Sequence, residues 1–213
     1  MRDYQGVDGI ASINSPAAGI LGSTPIPDAR NYPALVAGAT AQRAACIMAA
    51  DTMRAAPAFE TKIARPDALD GRLRSLIRPL VFTNGVFDVL HRGHVTYLAE
   101  ARALGASLIL ALNSDSSVKR LGKGPGRPVN ALEDRLAVAA ALESVSLVTW
   151  FEEDTPLPLI LKCRPDVLVK GGDWPVDKIV GAKEVLKWGG TVHSIEFQFE
   201  RSTTELLSRI RKS

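Results

Sequence analysis

Short apolar segments alternate with segments of helical period from residue 80 to the end of the chain, and this alternation constrains the fold more than any other feature. Each apolar run is short enough for a strand and is bounded by turn residues, whereas the segments between them carry apolar residues three or four positions apart. Strands that alternate with helices predict a parallel sheet covered by helices on both faces, which is a doubly wound α/β fold. The predicted strands are 80–84, 107–113, 147–151, 166–170 and 191–196, and the predicted helices are 66–77, 93–104, 115–120, 131–143, 156–162, 178–188 and 203–211.

The sequence LVFTNGVFDVLHRGH lies where such a sheet would bind a ligand. Doubly wound sheets bind ligands beyond the carboxyl ends of their strands, at the point where the strand order reverses. Here an apolar strand is followed by the turn signal Asn84-Gly85 and then by HRGH at the start of a helix, which offers N–H groups and a positive dipole end to an anion. The imidazoles of His91 and His94 add donors, and Gly93 lets the backbone come close, so the segment predicts a phosphate site.

Composition and charge exclude several other classes of protein. The 213-residue chain is 46% apolar and 23% charged, as in an ordinary soluble globule. Its net charge of +3 suits small anionic substrates, but no dense stripe of Lys and Arg interleaves with aromatic residues, so nucleic-acid binding is not predicted. No run reaches the roughly 18 apolar residues that a membrane span needs. Cys46 and Cys163 are far apart and lack zinc-site spacing, which predicts a reduced, cytoplasmic compartment and no protein metal site.

The first quarter of the chain differs from the rest. Up to residue 33 it is rich in Gly, Ser, Pro and Asn without a sustained period, and the stretch 34–56 has the alanine-rich composition of a short helix. Acidic residues and helix breakers near the N-terminus argue against a signal peptide. We therefore expect residues 1–57 to be a low-order extension and residues 58–213 to be the folded domain. Within the extension, residues 1–52 are expected to be dispensable, with translation starting at Met53.

A loop between residues 119 and 127 combines four cations with three glycines. One interpretation is a solvated, mobile loop. The other is a lid whose Lys119, Lys123 and Arg127 neutralise phosphate oxygens when it closes. The glycine spacing does not match a P-loop, because no GxxxxGK[ST] sequence occurs.

Polar residues mark the starts of the two helices that flank this loop. Asp115 follows the second predicted strand, where it would either cap the next helix or contact a ribose or substrate hydroxyl. Asn130 and Glu133 form a capping-box pattern, which predicts Asn130 as the N-cap of the helix that carries Arg135. Because arginines are common on helix surfaces, the residues alone leave the role of Arg135 open.

Two further segments lie at a strand end and at a helix start. Lys170-Gly171-Gly172-Asp173 follows a strand, and its glycines would let the backbone approach a planar base, although a tight structural turn explains them equally well. Ser202-Thr203-Thr204 precedes the last predicted helix, where a capping box with Glu205 and the same N–H groups make a second phosphate site. We predict that the two helix starts face one cleft and hold one triphosphate between them.

The sequence GVFDVLHRGH resembles the GxFDxxHxGH signature of nucleotidyltransferases that join a nucleoside triphosphate to a small phosphate ester and release pyrophosphate. RSTTE resembles the (I)STT motif of the same family, with Arg201 in place of the isoleucine found in several relatives. The signature is specific because one short window contains all of its residues, Gly85, Phe87, Asp88, His91, Gly93 and His94.

The resemblance implies roles for the residues at matching positions. The predicted catalytic residues are His91 and His94, on the bridging and α-phosphate oxygens in the transition state, and Lys119 and Lys123, which compensate added charge. Mg²⁺ would accompany ATP, held mostly by water and phosphate. The predicted substrate-binding residues are Asp115, Arg127 and Arg135, and the predicted nucleotide-binding residues are Asn84, Gly85, Phe87, Asp88, Gly93, Lys170, Gly171, Gly172, Asp173, Ser202, Thr203 and Thr204.

Within that family, residues 58–213 most resemble the heptose 1-phosphate adenylyltransferases of bacterial lipopolysaccharide assembly. Stretches such as RPDVLVKGGDW and FEEDTPLPLI carry this resemblance. It implies transfer of AMP from ATP to D-glycero-β-D-manno-heptose 1-phosphate, giving ADP-heptose and pyrophosphate, and it implies a homodimer. Two alternatives stay open: a cytidylyltransferase acting on glycerol 3-phosphate or a similar alcohol phosphate, and a catalytically silent nucleotide-binding module.

Overall fold

The computed structural model describes residues 56–122, 124 and 126–199. The predicted N-terminal extension therefore lies almost wholly outside the described residues, as does the predicted helix 203–211. The strands are β1 Leu80–Gly85, β2 Ser107–Asn113, β3 Leu147–Phe151, β4 Val167–Gly171 and β5 Thr191–Ile195. The α-helices are α1 Leu69–Leu73, α2 Arg92–Ala103, α3 Asp115–Arg120, α4 Leu132–Ala140, α5 Leu157–Cys163 and α6 Ala182–Lys187, and short 3-10 helices span Ala58–Lys62 and Val176–Lys178.

The five strands form one parallel sheet in the order β3-β2-β1-β4-β5. The chain begins at the central strand β1, moves outward through β2 to β3, and then returns to β4 on the other side of β1. The predicted doubly wound α/β fold is confirmed. The strand order reverses between β1 and β4, so the carboxyl ends of these two strands mark the expected ligand site.

Helices cover both faces of this sheet because successive strand residues point to opposite sides. Leu80 and Phe82 of β1 pack in a cluster with residues of α1, α5 and α6, whereas Val81 packs in a second cluster with residues of α2 and α4. All residues of β2 are buried, which explains why its sequence is apolar at nearly every position. Within the described ranges, no helix is long and apolar enough to cross a membrane.

Element bounds agree with the prediction where local pattern is strong and differ where it is interrupted. Predicted strands 107–113 and 147–151 and helix 115–120 are confirmed with those bounds, whereas predicted helix 66–77 shrinks to Leu69–Leu73. Predicted helix 178–188 is divided, because Gly181 has a left-handed φ of 87° just before Ala182–Lys187. A Cβ at Gly181 would also lie 2.8 Å from Ile160 Cδ1, so a side chain there would be strained and crowded.

Candidate active site

A cavity of about 330 Å³ opens at the carboxyl ends of β1 and β4, and we call it the histidine cavity. It lies at the strand-order reversal, as the topology requires. It brings together eight predicted site residues that are far apart in sequence: Asn84, Gly85, Phe87, Asp88, His94, Arg127, Lys170 and Gly171. Its lining also includes Val86, Tyr97, Trp174 and Phe197, which were not predicted.

A second cavity of about 370 Å³ adjoins the first and is called the apolar cavity here. The two cavities share Asn84, Gly85, Val86, Lys170 and Trp174, so these residues form the boundary between them. The rest of the apolar cavity is lined by Asn113, Leu121, Phe151, Asp154, Thr155, Pro156, Lys178, Ile179 and Val180.

The two signature histidines are packed against each other at the start of α2. His91 is the N-cap residue of α2 and has extended backbone angles. Its side chain makes no capping hydrogen bond to the first turn of the helix. The His91 and His94 rings stack with centroids 3.8 Å apart, and the Phe87 ring lies 5.1 Å from His94. Phe87 reaches this position with a left-handed φ of 46°. A Cβ at Gly85 would lie 2.7 Å from the Phe87 ring, which explains the glycine.

Gly93 allows a different segment of the chain to approach the helix start. A Cβ at Gly93 would lie 3.0 Å from the Phe199 carbonyl oxygen and 3.1 Å from the His91 ring. The Arg92 guanidinium lies 3.7 Å from the centre of the Phe199 ring, a cation–π contact. The chain that leads to Ser202–Thr204 is thus held against the histidine motif at Phe199; those three predicted nucleotide-binding residues lie outside the described residues.

Tyr97 connects the histidine helix to two strands. Its hydroxyl lies 2.5 Å from Thr83 Oγ1 on β1, and it also bonds to the backbone of Gly171 at the end of β4. Burial raises the pKa of the phenol well above its ordinary value, while these two hydrogen bonds pull the pKa the other way. Tyr97 lies one helical turn after His94, so this anchor holds the part of the helix that carries His94 against β1 and β4.

Asp88 binds the backbone of the segment that follows the cationic loop, at residues 129 and 130. The carboxylate is buried and accepts hydrogen bonds from the backbone N–H groups of Val129 at 2.8 Å and Asn130 at 2.9 Å. Arg127 Nε lies 2.8 Å from Asp88 Oδ2, so the two side chains form an ion pair. The Nε–H does not point at the carboxylate and makes no hydrogen bond to it. Asn130 donates its side-chain amide to the Asp88 carbonyl. The predicted capping role of Asn130 is therefore wrong, and Ala131 is the N-cap of α4.

Arg135 is a buried connector between three segments. Its side chain has no accessible surface and donates to the carbonyl oxygens of Val86 at 2.8 Å, Asn113 at 2.9 Å and Asn130 at 3.1 Å. It also forms a 2.6 Å ion pair with Asp115. These contacts account for the guanidinium within the protein and join the ends of β1 and β2 to α4. The role of Arg135 in substrate binding stays a prediction.

The structure of α3 shows where two predicted site residues lie, Asp115 at its start and Lys119 at its end. Ser114 caps the helix by accepting the Ser117 N–H at 3.2 Å, so the predicted alternative in which Asp115 caps this helix is wrong. Lys119 is exposed on the last turn and does not line either cavity. Lys123 lies outside the described residues.

The Lys-Gly-Gly-Asp segment brings one cation to the two cavities and packs against the Phe197 ring. Lys170 lines both cavities. A Cβ at Gly171 would lie 2.7 Å from the Phe197 ring, and Gly172 has a left-handed φ of 104°. Asp173 is exposed and, like Gly172, is outside the lining of the cavities. Both glycines therefore have a structural reason in this turn, independent of any base.

Sequence reasoning missed three aromatic residues that line the histidine cavity, Tyr97, Trp174 and Phe197. Two of them had local signals. Tyr97 is three residues after His94 and so lies on the same helix face, and Trp174 directly follows the Lys-Gly-Gly-Asp segment. Phe197 had no such signal, because only the pairing of β5 with β4 brings it to Gly171 and His94.

Comparisons with known proteins agree with the signature. A family model described as cytidylyltransferase-like matches residues 82–208. A D-beta-D-heptose 1-phosphate adenylyltransferase of Bordetella bronchiseptica is 54% identical over 156 residues, which are 72% of this chain and 96% of that protein. The bifunctional protein HldE of Hahella chejuensis is 49% identical over 153 residues, but the match spans only 31% of its length.

Solved structures include a lipopolysaccharide core biosynthesis protein from Thermoplasma volcanium GSS1, 29% identical with a TM-score of 0.47 over 57% of this chain and 98% of that one. The family match begins within β1 and ends beyond β5, so it includes the segments that line the histidine cavity. The predicted resemblance is confirmed. The chain therefore belongs to the cytidylyltransferase-like family of nucleotidyltransferases.

Proposed function

We propose that this enzyme transfers AMP from ATP to D-glycero-β-D-manno-heptose 1-phosphate, giving ADP-heptose and pyrophosphate for lipopolysaccharide core biosynthesis. The observation that carries this proposal is the 54% identity to the Bordetella bronchiseptica heptose 1-phosphate adenylyltransferase, which extends over 96% of that protein. The cleft supports it independently, because imidazole, lysine and arginine side chains meet there at the end of the sheet.

The reaction requires positioning more than covalent help from the protein. A phosphate oxygen of the sugar phosphate attacks the α-phosphorus of ATP, the bond from that phosphorus to its bridging oxygen breaks, and pyrophosphate leaves with the electron pair. No protein nucleophile takes part. Correct alignment of the two substrates contributes up to roughly 7–11 kcal/mol to such a step, and the remaining task is to neutralise negative charge.

His91 and His94 carry the central part of that task in this proposal. They lie at the start of a twelve-residue helix whose positive dipole end is directed at the strand-order reversal. Their stacked rings would present donors to the α-phosphate and to the bridging oxygen as the bond breaks. The Phe87 ring packs on His94, and the hydrogen bond of Tyr97 holds the helix that carries His94 against β1, so in this proposal the donors are oriented before substrate binds.

Cations and magnesium complete the charge balance. Lys170 and Arg127 line the histidine cavity. We propose that Lys119 reaches the phosphates from the end of α3, Lys123 from the loop, and Ser202–Thr204 from the start of the last predicted helix. Mg²⁺ would accompany ATP and would supply positive charge beside its phosphate oxygens. In the part of the chain that the structure describes, no group of three His, Cys, Asp or Glu side chains could hold a metal ion.

The test is pyrophosphate release with ATP or CTP against a panel of sugar 1-phosphates and glycerol 3-phosphate, with products identified by mass. We expect turnover with ATP and the β-heptose 1-phosphate, and the mass of ADP-heptose. A preference for CTP and glycerol 3-phosphate would replace this proposal with the cytidylyltransferase alternative. A His91→Ala/His94→Ala double variant provides the blank, since contaminating activity would survive in it.

A further inference from the structure

We propose that the apolar cavity holds the sugar ring of the phosphate acceptor, and that the Trp174 indole is the surface on which the carbon face of this ring rests. This inference rests on the proposed adenylyl transfer and assigns one of its substrates to a place. Trp174 is then a residue that determines acceptor affinity, distinct from the residues that neutralise the triphosphate.

The arrangement of the two cavities fits a reaction with two substrates. In-line displacement needs the attacking and leaving groups on opposite sides of the α-phosphorus. The cavities lie side by side and meet at Asn84, Gly85, Lys170 and Trp174. A triphosphate beside His94 and an acceptor in the apolar cavity would therefore bring their phosphates together at Lys170. The volume of about 370 Å³ lies within the roughly 300–1,000 Å³ of small-molecule sites.

The chemistry of the walls distinguishes the two cavities. The apolar cavity combines apolar surfaces, such as Phe151 and Ile179, with the hydrogen-bonding groups of Asn113, Asp154 and Thr155. A sugar ring has the same mixture, since its C–H faces are apolar and its hydroxyls donate and accept hydrogen bonds. Among the described residues that line this cavity, the cations are Lys170 and Lys178, which suits one phosphate better than three.

The backbone of the turn that carries Trp174 is anchored to β5, while the indole itself stays accessible. The backbone N–H of Trp174 donates to Ser194 Oγ at 3.0 Å, and the backbone N–H of Gly172 donates to the Ile195 carbonyl at 2.8 Å, so the end of β5 anchors the turn at two points. The Trp174 side chain is nevertheless 49% exposed. A large, accessible aromatic ring on an anchored turn offers much contact area and has only two side-chain torsions to order when a ligand binds.

Tryptophan fluorescence and steady-state kinetics test this assignment. With a non-hydrolysable ATP analogue present, β-heptose 1-phosphate should change the fluorescence of the wild-type protein, and Trp174→Phe should remove that change. Trp188→Phe is the matched control, because its indole donates to the Pro165 carbonyl at 2.9 Å and lies outside both cavities; it should keep the change. Trp174→Ala should raise the KM for the sugar phosphate at least 10-fold and change the KM for ATP less than 2-fold, and Trp174→Phe should restore part of the loss.

Each outcome decides the assignment. An unchanged sugar-phosphate KM in Trp174→Ala, or a fluorescence change that depends on the ATP analogue rather than the sugar phosphate, overturns it. Equal rises in both KM values with an unaltered urea midpoint would place the indole on the nucleotide instead, which also overturns it. If wild-type protein turns over none of the sugar phosphates, the proposed function fails, and the fluorescence titration still reports separately whether a sugar phosphate contacts Trp174.

Discussion

Replacing Asp88 by asparagine tests whether the signature carboxylate acts through the protein rather than on the nucleotide. The side chain is 1% exposed and accepts the backbone N–H groups of Val129 and Asn130. Arg127 lies 2.8 Å away with a side chain that is 12% exposed. Asparagine keeps the shape of the side chain but removes its charge and places an N–H₂ group opposite other donors. The variant therefore measures how much the charge of Asp88 contributes to binding Val129, Asn130 and Arg127.

The expected loss of stability follows from those contacts. A hydrogen bond to a charged group contributes about 1.5–3 kcal/mol, and removing one partner of a buried ion pair costs about 3–5 kcal/mol. These values overlap rather than add, and the partly exposed Arg127 can turn toward water, so we expect a decrease of about 3 kcal/mol in the free energy of unfolding. For a domain of this size, that corresponds to a melting temperature roughly 6–12 °C lower.

Urea unfolding followed by circular dichroism measures this difference. Asp67→Asn is the matched control, because Asp67 pairs with Arg65 at 3.2 Å on the surface, where both side chains are largely exposed, and it should unfold like the wild type. If Asp88→Asn also unfolds like the wild type, the carboxylate does not fasten the loop. A direct role on the nucleotide would then be the better explanation of any loss of activity.

Three further predictions concern the histidine motif and the core. His94→Ala should lower kcat far more than it weakens ATP binding, and equal losses in both would contradict a transition-state role. Gly93→Ala should lower activity because its Cβ would press on Phe199 and His91, whereas Gly71→Ala in α1, where nothing lies within 4 Å, should stabilise the protein by about 0.5–1 kcal/mol; similar activity in both would refute the crowding argument. Burial raises the pKa of the Cys163 thiol from 9.0 to about 12. Above pH 9 the thiol therefore loses its proton in the unfolded chain but keeps it in the folded protein, which favours unfolding. Between pH 8 and 10, the free energy of unfolding of the wild type should fall by about 1 kcal/mol more than that of Cys163→Ala. Equal pH dependence in the two proteins would show that the thiol is not shielded.

The roles of Asp88, Arg135 and Asn130 could not be predicted from the sequence, because their hydrogen-bond partners are distant along the chain. The Asp88 carboxylate binds backbone groups at residues 129 and 130, and Arg135 donates to the carbonyl of Val86. Asn130 matched a local capping pattern, yet its amide is used by a carbonyl 42 residues away. A capping box is a statement about neighbours along one helix, and a tertiary hydrogen bond of similar strength can displace it.

The sequence by itself determined the class of fold, the strands with continuous apolar runs and the end of the sheet where the signature residues lie. Those properties follow from periodicity and from the handedness of parallel crossovers, which depend on residues close together along the chain. Only the tertiary structure decided which polar side chains face the cleft and which hold it together, as with Asp88 and Arg135, and it alone brought Trp174 to the boundary of two cavities. That division exists because a side chain's role depends on the groups around it, and here those groups come from β1, β4 and β5 at once.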